Sequence, residues 1–298
     1  MKVILALTKR NIRLFFKDKG MFLTSLITPV ILLVLYASFL GGVFRDSFLM
    51  NIPDGISVDE NIIDGLVGGQ LISSILAVSC ITVSFCSNFL MVQDRANGSV
   101  KDLTVSPLKP STLAVSYYLA TLASTLTICL TATAICLAYV AAVGWYLSFT
   151  DVLLLILDVI ILVLFGTALS SVISFFLTTQ GQISAVGTIV SSGYGFICGA
   201  YMPISSFGEG LQTVISFLPG TYGTVLVRNH AMRGALAALE EAGLPAAAVT
   251  SMRDAIDCNI YFFEKSVPTS AMFLIVSLTA ALLLAAYVLE NKFLKKQR

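Results

Sequence analysis

Between Val152 and Leu177 the chain reads VLLLILDVIILVLFGTALSSVISFFL, a run whose only charged side chain is Asp158. In hydrocarbon a helix satisfies its own backbone groups, and about 20 apolar residues carry it across a bilayer. The run is long enough to cross, so it predicts a membrane-spanning helix. Five more runs meet the same criterion, at roughly 21–44, 68–92, 113–143, 183–201 and 269–289. Composition agrees: the 298 residues are 57% hydrophobic and only 12% charged, with a mean hydropathy of +0.90, outside the range of ordinary soluble domains. The expected fold is an all-α integral membrane protein of six transmembrane helices, one transmembrane domain over 1–298.

The first run follows a basic stretch, as a secretion signal does. It is longer than the apolar core of a signal, about 7 to 15 residues, and no clean small-residue cleavage site follows it, so a retained span is expected. Orientation is read from Lys and Arg. Lys2, Lys9, Arg10, Arg13, Lys17 and Lys19 precede the first span, Arg95, Lys101 and Lys109 follow the second, and Lys292, Lys295, Lys296 and Arg298 follow the last. The segment after the first span has Arg45 against Asp46, Asp54, Asp59, Glu60 and Asp64. By the positive-inside rule both termini and the segment after the second span are cytoplasmic. These basic residues are accounted for by topology, so nucleic acid is not an expected partner.

Residues 1–19 have a different pattern. On a helical wheel Lys2, Lys9, Arg10, Arg13 and Lys17 gather on one side, with Val3, Ile4, Leu7, Ile12, Leu14 and Phe15 opposite. This suits a cytoplasmic amphipathic helix lying along the headgroups, with Lys9, Arg10, Arg13 and Lys17 toward water and anionic lipid. A simple charge anchor is the plainer alternative.

Within the spans, polar residues are the informative ones. The second is rich in hydroxyls, Ser73, Ser74, Ser79, Thr82, Ser84 and Ser87, with Asn88 near its end. They suit either helix packing or a polar path. The fifth sets Gly187, Ser191, Gly195 and Gly199 at four-residue spacing, for close packing or for an interface that moves. Asp158 shares a helical face with Asp151 and lies about 10 Å deeper. It suits a contact to a cationic group or a carboxyl near the outer headgroups. Asp158, Asn88, Ser84, Ser191 and Gly195 are therefore the candidate path residues.

Residues 202–268 form the longest segment outside the spans. Its first part, MPISSFGEGLQTVISFLPGTYGTVLVRNHAMRG, is too apolar for a solvated loop and too broken for a span, which predicts two short helices dipping back into the outer leaflet. The remainder, 235–266, reads as a small exposed helical cap. Five of the six cysteines fall within spans and Cys258 outside them, so no disulfide framework is expected. The single histidine, His230, has no second metal ligand at useful spacing.

No glycine-rich phosphate loop, nucleophile elbow, HExxH pair or CxxC motif occurs. The chain is expected to be no enzyme, with no cofactor of its own. Gln93–Ser111 reads QDRANGSVKDLTVSPLKPS. Charged QDRANG closes the second span, SVKDLTV can form about two helical turns, and SPLKP ends them. Val100, Leu103 and Val105 are apolar residues that solubility alone would not require; on a short helix they would offer a plug to another protein's groove.

That pattern, carried by Asp94, Arg95, Gly98, Leu103, Ser106 and Pro107, resembles the cytoplasmic coupling segment of the ABC-2 type family of ABC transporter permeases. The amphipathic arm, LITPVILLVLYASFLGG in the first span, the apolar hairpin before the last and the six-span topology agree with it. The resemblance implies a membrane-spanning subunit of an ATP-driven exporter in a prokaryotic cytoplasmic membrane. It implies a cytoplasmic ABC ATPase subunit that carries the ATP and Mg, and a second permease subunit, identical or paralogous. Segment 93–111, with Asp94, Arg95, Gly98, Val100, Leu103, Ser106 and Pro107, would dock the ATPase. The family often has Glu where Asp94 stands. The length of 235–266 favours the drug, peptide or lipid exporters over the polysaccharide branch. Two other classes stay open: an ion-coupled transporter or channel using Asp158, and a non-transporting sensor or scaffold that reads ligands with the cap.

Overall fold

The protein is described from a computed structural model, which covers residues 2–53, 58–105, 108–263 and 265–293. It is nearly all helical, and its breaks fall where the sequence supplies caps and turn formers. Helix α1 (Lys2–Lys17) ends at Asp18, whose Oδ1 accepts from the Gly20 and Met21 amides and opens α2 (Lys19–Leu35). A π-helical turn, Tyr36–Leu40, leads without a break into α3 (Gly41–Met50), giving one apolar rod, Lys19–Met50. Asp59 caps α4 (Glu60–Ala96). Gly98, at φ +80°, turns the chain into the short α5 (Ser99–Val105), in backbone space that glycine enters without penalty. Pro110 occupies the first turn of α6 (Pro110–Val143), where its missing N–H leaves no bond unmade.

A reciprocal Ser148–Asp151 capping box starts α7 (Phe149–Phe176), and a Thr179–Gln182 box starts α8 (Gln180–Ile197). Then come a 3-10 turn at Ile204–Ser206, α9 (Glu209–Ser216), α10 (Pro219–Glu241), α11 (Ala246–Ala255), the antiparallel pair β1 (Tyr261–Phe262) and β2 (Lys265–Ser266), and α12 (Thr269–Phe293).

Helix α4 is the axis. In its most apolar stretch 89% of residues are buried, against 12% in the rod Lys19–Met50 and 17% in α12, so the first and last helices stand at the periphery. Its hydroxyls explain why neighbours approach so closely. Ser73, Ser74, Ser79 and Ser84 are wholly buried, and Ser79, Thr82 and Ser84 return their protons to carbonyls four residues back. Small satisfied side chains let α6, α7 and α10 pack against this helix.

Three contacts fix one end of the bundle. Tyr117 of α6 meets Asp94, Arg95 meets the last carbonyls of α7, and the Tyr287 hydroxyl of α12 donates to Ala114 O at 3.3 Å. We call this the Asp94 end. The opposite, Asp151 end holds the α6–α7 connection and the outgoing half of α10.

Among the described residues five helical stretches are long and apolar enough to cross a membrane, Lys19–Met50, Glu60–Ala96, Pro110–Val143, Phe149–Phe176 and Thr269–Lys292. The expected fifth span corresponds to α8, an 18-residue helix whose two glutamines, four glycines and hydroxyls dilute its hydropathy. The hairpin expectation needs one correction. Helix α9 is short, but α10 runs 23 residues, through the boundary expected at 235. The breakers Gly208, Pro219 and Gly220 sit at helix ends, and Gly223 and Gly234 admit neighbours, Leu162 and the Tyr146 carbonyl, rather than ending the helix. The cap, too, is less exposed than expected: Leu236, Leu239, Val249 and Met252 are buried in it. All six cysteines are free and buried, Cys258 included.

Candidate functional site

At the Asp94 end the charged residues of QDRANG turn inward. Arg10 Nη1 donates to Asp94 Oδ2 at 2.8 Å, and the Tyr117 hydroxyl donates to the same oxygen at 2.6 Å. Burial pulls the Arg10 guanidinium down, and the Asp94 carboxylate more than offsets this, leaving it above its ordinary value. Arg10 thus leaves the basic face expected to meet lipid and fastens α1 to α4 and α6; Lys9, Arg13 and Lys17 remain exposed. Arg95 donates to the carbonyls of Ser174 at 3.0 Å and Phe175 at 2.8 Å. It joins α4 to the end of α7, where carbonyls lack helical partners. Neither charge is simply displayed to a partner.

Past Gly98, Val100 and Leu103 pack against a cluster containing Met91, Leu113, Tyr117 and Tyr287, joined by Leu7 and Leu14 of α1. The expected projecting plug of Val100, Leu103 and Val105 therefore narrows to Val105, which is 87% exposed. Ser106 and Pro107 lie outside the described residues.

A cavity of about 940 Å³ forms a cleft between α2 and α8, floored by Cys86 and Phe89 of α4. Ile27, Ile31, Leu35 and Phe196 supply apolar wall, and Thr24, Thr28, Ser184, Thr188, Ser191 and Ser192 supply hydroxyls; among the described residues no Asp, Glu, Lys or Arg lines it. Four of the hydroxyls are already committed as donors, Thr24, Ser184, Thr188 and Ser192 each to the carbonyl four residues back. A polar cavity of about 290 Å³, lined by Asp18, Gln93 and Gln180, adjoins it and shares Thr24 and Phe89.

Of the candidate path residues the structure brings Ser191 alone to this cleft. Gly195 is covered by the Tyr201 ring, which a Cβ would meet at 2.2 Å. Gly199, expected on the same stripe, lies past the helix at φ +73°. Asn88 donates to the Ser170 and Ser171 hydroxyls at 3.2 Å each and accepts from Thr121 at 3.3 Å. Ser84 lies 3.5 Å from Thr167 Oγ1. Both are buried, packing side chains between α4, α6 and α7, away from the cleft.

Asp158 meets a partner that spacing could not reveal. Its Oδ2 lies 2.5 Å from His230 Nδ1 on α10, and seven residues earlier Asp151 pairs with Arg233 at 2.5 Å. Two acids on one face of α7 thus face two basic residues three apart on the antiparallel α10. Two residues before His230 on α10 lies Arg228, fully buried. It donates to Gly199 O at 2.6 Å and Ile256 O at 2.8 Å, and pairs with Asp257 at 3.5 Å. Asp257 Oδ2 also accepts from the Ile204 amide at 2.7 Å. The end of α8, α10 and the cap are thereby one unit. The signal was present in VRNHAMR, three basic residues in an otherwise apolar hairpin, but their partners come from separate elements. Among the described residues no three His, Cys, Asp or Glu side chains come together as a metal site.

Residues 2–231 match the model of a family described as ABC-2 type transporter. No curated protein matches the chain.

Proposed function

The chain belongs to the ABC-2 type transporter family, and we propose that it is the permease subunit of an ATP-driven exporter of amphipathic molecules, drug, antibiotic peptide or lipid. The observation that carries this reading is the α2–α8 cleft, with apolar walls, a hydroxyl stripe and no fixed charge. Such a surface suits a molecule that leaves a leaflet without shedding a full charge into hydrocarbon. In this reading α8 is the sixth crossing, both termini and the Asp94 end face the cytoplasm of a prokaryote, α1 lies along the headgroups, and α9 with the deep end of α10 forms a re-entrant hairpin closing the outer end.

A second permease copy would complete the path across α2 and α8. The path is then walled by the first and fifth spans, while the second, which was expected to line it together with the fifth, supplies Cys86 and Phe89 at its floor. A separate cytoplasmic ATPase holds the ATP and Mg and docks on α1, α5 and Val105. Its closure pulls the arm that Arg10 ties to Asp94, and the permease halves shift between two packings; differential binding supplies the energy. Asp158 is held by His230 and does not line the cleft, which weighs against an ion-driven site there. Co-expression with a candidate ABC ATPase and reconstitution in nanodiscs tests the reading: the chain should bind it and stimulate vanadate-sensitive ATP hydrolysis. A chain that does neither is not such a subunit.

A further inference from the structure

Helix α2 has a second cavity on its other side. It measures about 390 Å³ and lies between α2, α4 and α6, with Leu71 and Ile75 at its base. Pro29 is buried inside α2 and faces it. A proline in mid-helix lacks its N–H and crowds the preceding turn, and α2 here packs on α4 while leaving a gap to α6.

The chemistry of this slot is unlike that of the cleft. Among the described residues no Asp, Glu, Lys or Arg lines it. Thr127 and Thr131 both donate to carbonyls four residues back, at 2.8 and 2.7 Å, so neither offers its proton, and the Cys136 thiol and one phenol, Tyr139, are the other side-chain polar groups in the lining. A cavity of this kind gives water too few partners and takes hydrocarbon. Its rim residues Val30 and Ile135 are 54% and 61% exposed on spanning helices, so it opens sideways to lipid.

One end is closed by Phe16 of α1 and Phe22 of α2, rings 5.8 Å apart. Phe16 shares the exposed face of α1 with Arg13 and Lys17, and exposed Lys19 begins α2. An apolar slot ending beside three cations matches a chain and a head of one molecule. We propose that the slot holds one acyl chain of an anionic phospholipid, with its phosphate against Arg13, Lys17 and Lys19. A second copy of this protein is a poorer occupant, since by symmetry it brings the same basic arm to a basic rim. Because α2 is the wall between slot and cleft, the bound chain backs the cleft wall, packing α2 from the side that no protein covers.

The test needs neither substrate nor ATPase. The full chain is placed in phosphatidylcholine vesicles containing spin-labelled phosphatidylglycerol, and the motionally restricted lipid is measured, with native mass spectrometry counting retained lipid. The wild type should hold one phosphatidylglycerol per chain. Ala132→Phe, which fills the slot, should lose it, while Thr188→Phe, which fills the cleft, should keep it. Lys17→Glu with Lys19→Glu should keep a lipid but lower the preference for phosphatidylglycerol over phosphatidylcholine by at least about tenfold. If Ala132→Phe does not insert, Thr131→Trp at the exposed rim makes the same test. Retention in the filled variant, or equal loss in Thr188→Phe, overturns the slot. An unchanged preference in the charge-reversed variant overturns the anionic head.

Discussion

Arg10 and Asp94 are 84 positions apart, yet guanidinium and carboxylate meet at 2.8 Å, on the oxygen that also accepts from the Tyr117 hydroxyl. The pair is the one ion pair joining α1 to the bundle among the described residues. A charge-assisted bond at a half-buried site carries more than a surface pair. In a double-mutant cycle of Arg10→Ala and Asp94→Ala, measured by unfolding in micelles, the coupling should be about 1–3 kcal/mol. Purely additive losses would mean that the arm is held by the packing of Leu7, Leu14 and Phe15 and by the Thr8 hydroxyl on the Ser116 carbonyl, without the ion pair.

Arg228 is expected to be the least replaceable charge. Removing one member of a buried pair strands the other and costs about 3–5 kcal/mol. Arg228→Met should lose that much, and Arg228→Lys should rescue little, because an ammonium cannot span the Gly199 carbonyl, the Ile256 carbonyl and Asp257 with a planar fork. Full rescue by lysine would show that charge, and not geometry, matters there.

Burial pushes the Asp257 carboxyl above its ordinary value, with Arg228 drawing it back in part. A carboxyl raised in the fold holds its proton more tightly there than in the unfolded chain. It therefore favours the fold below its unfolded value, near 4, and that contribution is lost as pH rises through its folded one. Hydrogen exchange in α11 should accordingly slow on acidification through this window, after correction for intrinsic rates, and Asp257→Asn should remove the slope. The same slope in the variant would assign the effect to another group.

The two α7–α10 pairs should differ in weight. Asp158 and His230 are 2% and 12% exposed, whereas Arg233 is 45% exposed. Breaking the inner pair with Asp158→Ala should cost about 3 kcal/mol, and Arg233→Ala about 1 kcal/mol or less, since Asp151 keeps its capping bonds to Ser148. Asp158→Asn, once inserted, should transport normally. A selective loss of transport with the fold intact would return Asp158 to the mechanism.

The sequence made five long apolar helices, a helical arm and the α4–α5 turn readable, because each rests on local signals: apolar length, helical periodicity, a glycine after a charged stop. It left the partners of Asp94, Asp158 and Arg228 hidden. Those contacts join elements tens of residues apart, and no period in the chain encodes them. Hydroxyls misled for a related reason. Ser84 and Ser191 are alike in sequence, and only packing separates the buried one from the one in the cleft. Helix α8 is the converse case: Ser184, Thr188, Ser191 and Ser192, which dilute its hydropathy, line the cleft.

Two glycines give a control on packing. A Cβ at Gly234 would lie 1.7 Å from the Tyr146 carbonyl oxygen, while one at Gly42 meets nothing within 4 Å. Gly234→Ala should cost about 1–3 kcal/mol or more as α10 is pushed from the α6–α7 connection. Gly42→Ala should be neutral or stabilise by up to about 1 kcal/mol, through helix propensity. Comparable effects at both sites would mean that α10 does not sit against Tyr146.

The cleft and the docking end can be separated by two substitutions that leave the core untouched. Thr188 lines the cleft and Val105 is 87% exposed on α5. In the proposed assembly Thr188→Phe narrows the path without touching the ATPase contact. Transport should fall by tenfold or more, about 1.4 kcal/mol or above in the rate-limiting barrier, while ATPase binding stays unchanged. Val105→Glu puts a charge where an apolar side chain meets the partner's groove, so ATPase binding should weaken by a similar factor, and transport would fall only as far as assembly falls. Transport in nanodisc or vesicle preparations and ATPase affinity by pull-down titration read the two effects independently. If Thr188→Phe instead weakens ATPase binding and leaves transport per assembled complex intact, the α2–α8 cleft is not the path. If Val105→Glu binds as tightly as the wild type, α5 is an internal strut and docking rests on α1.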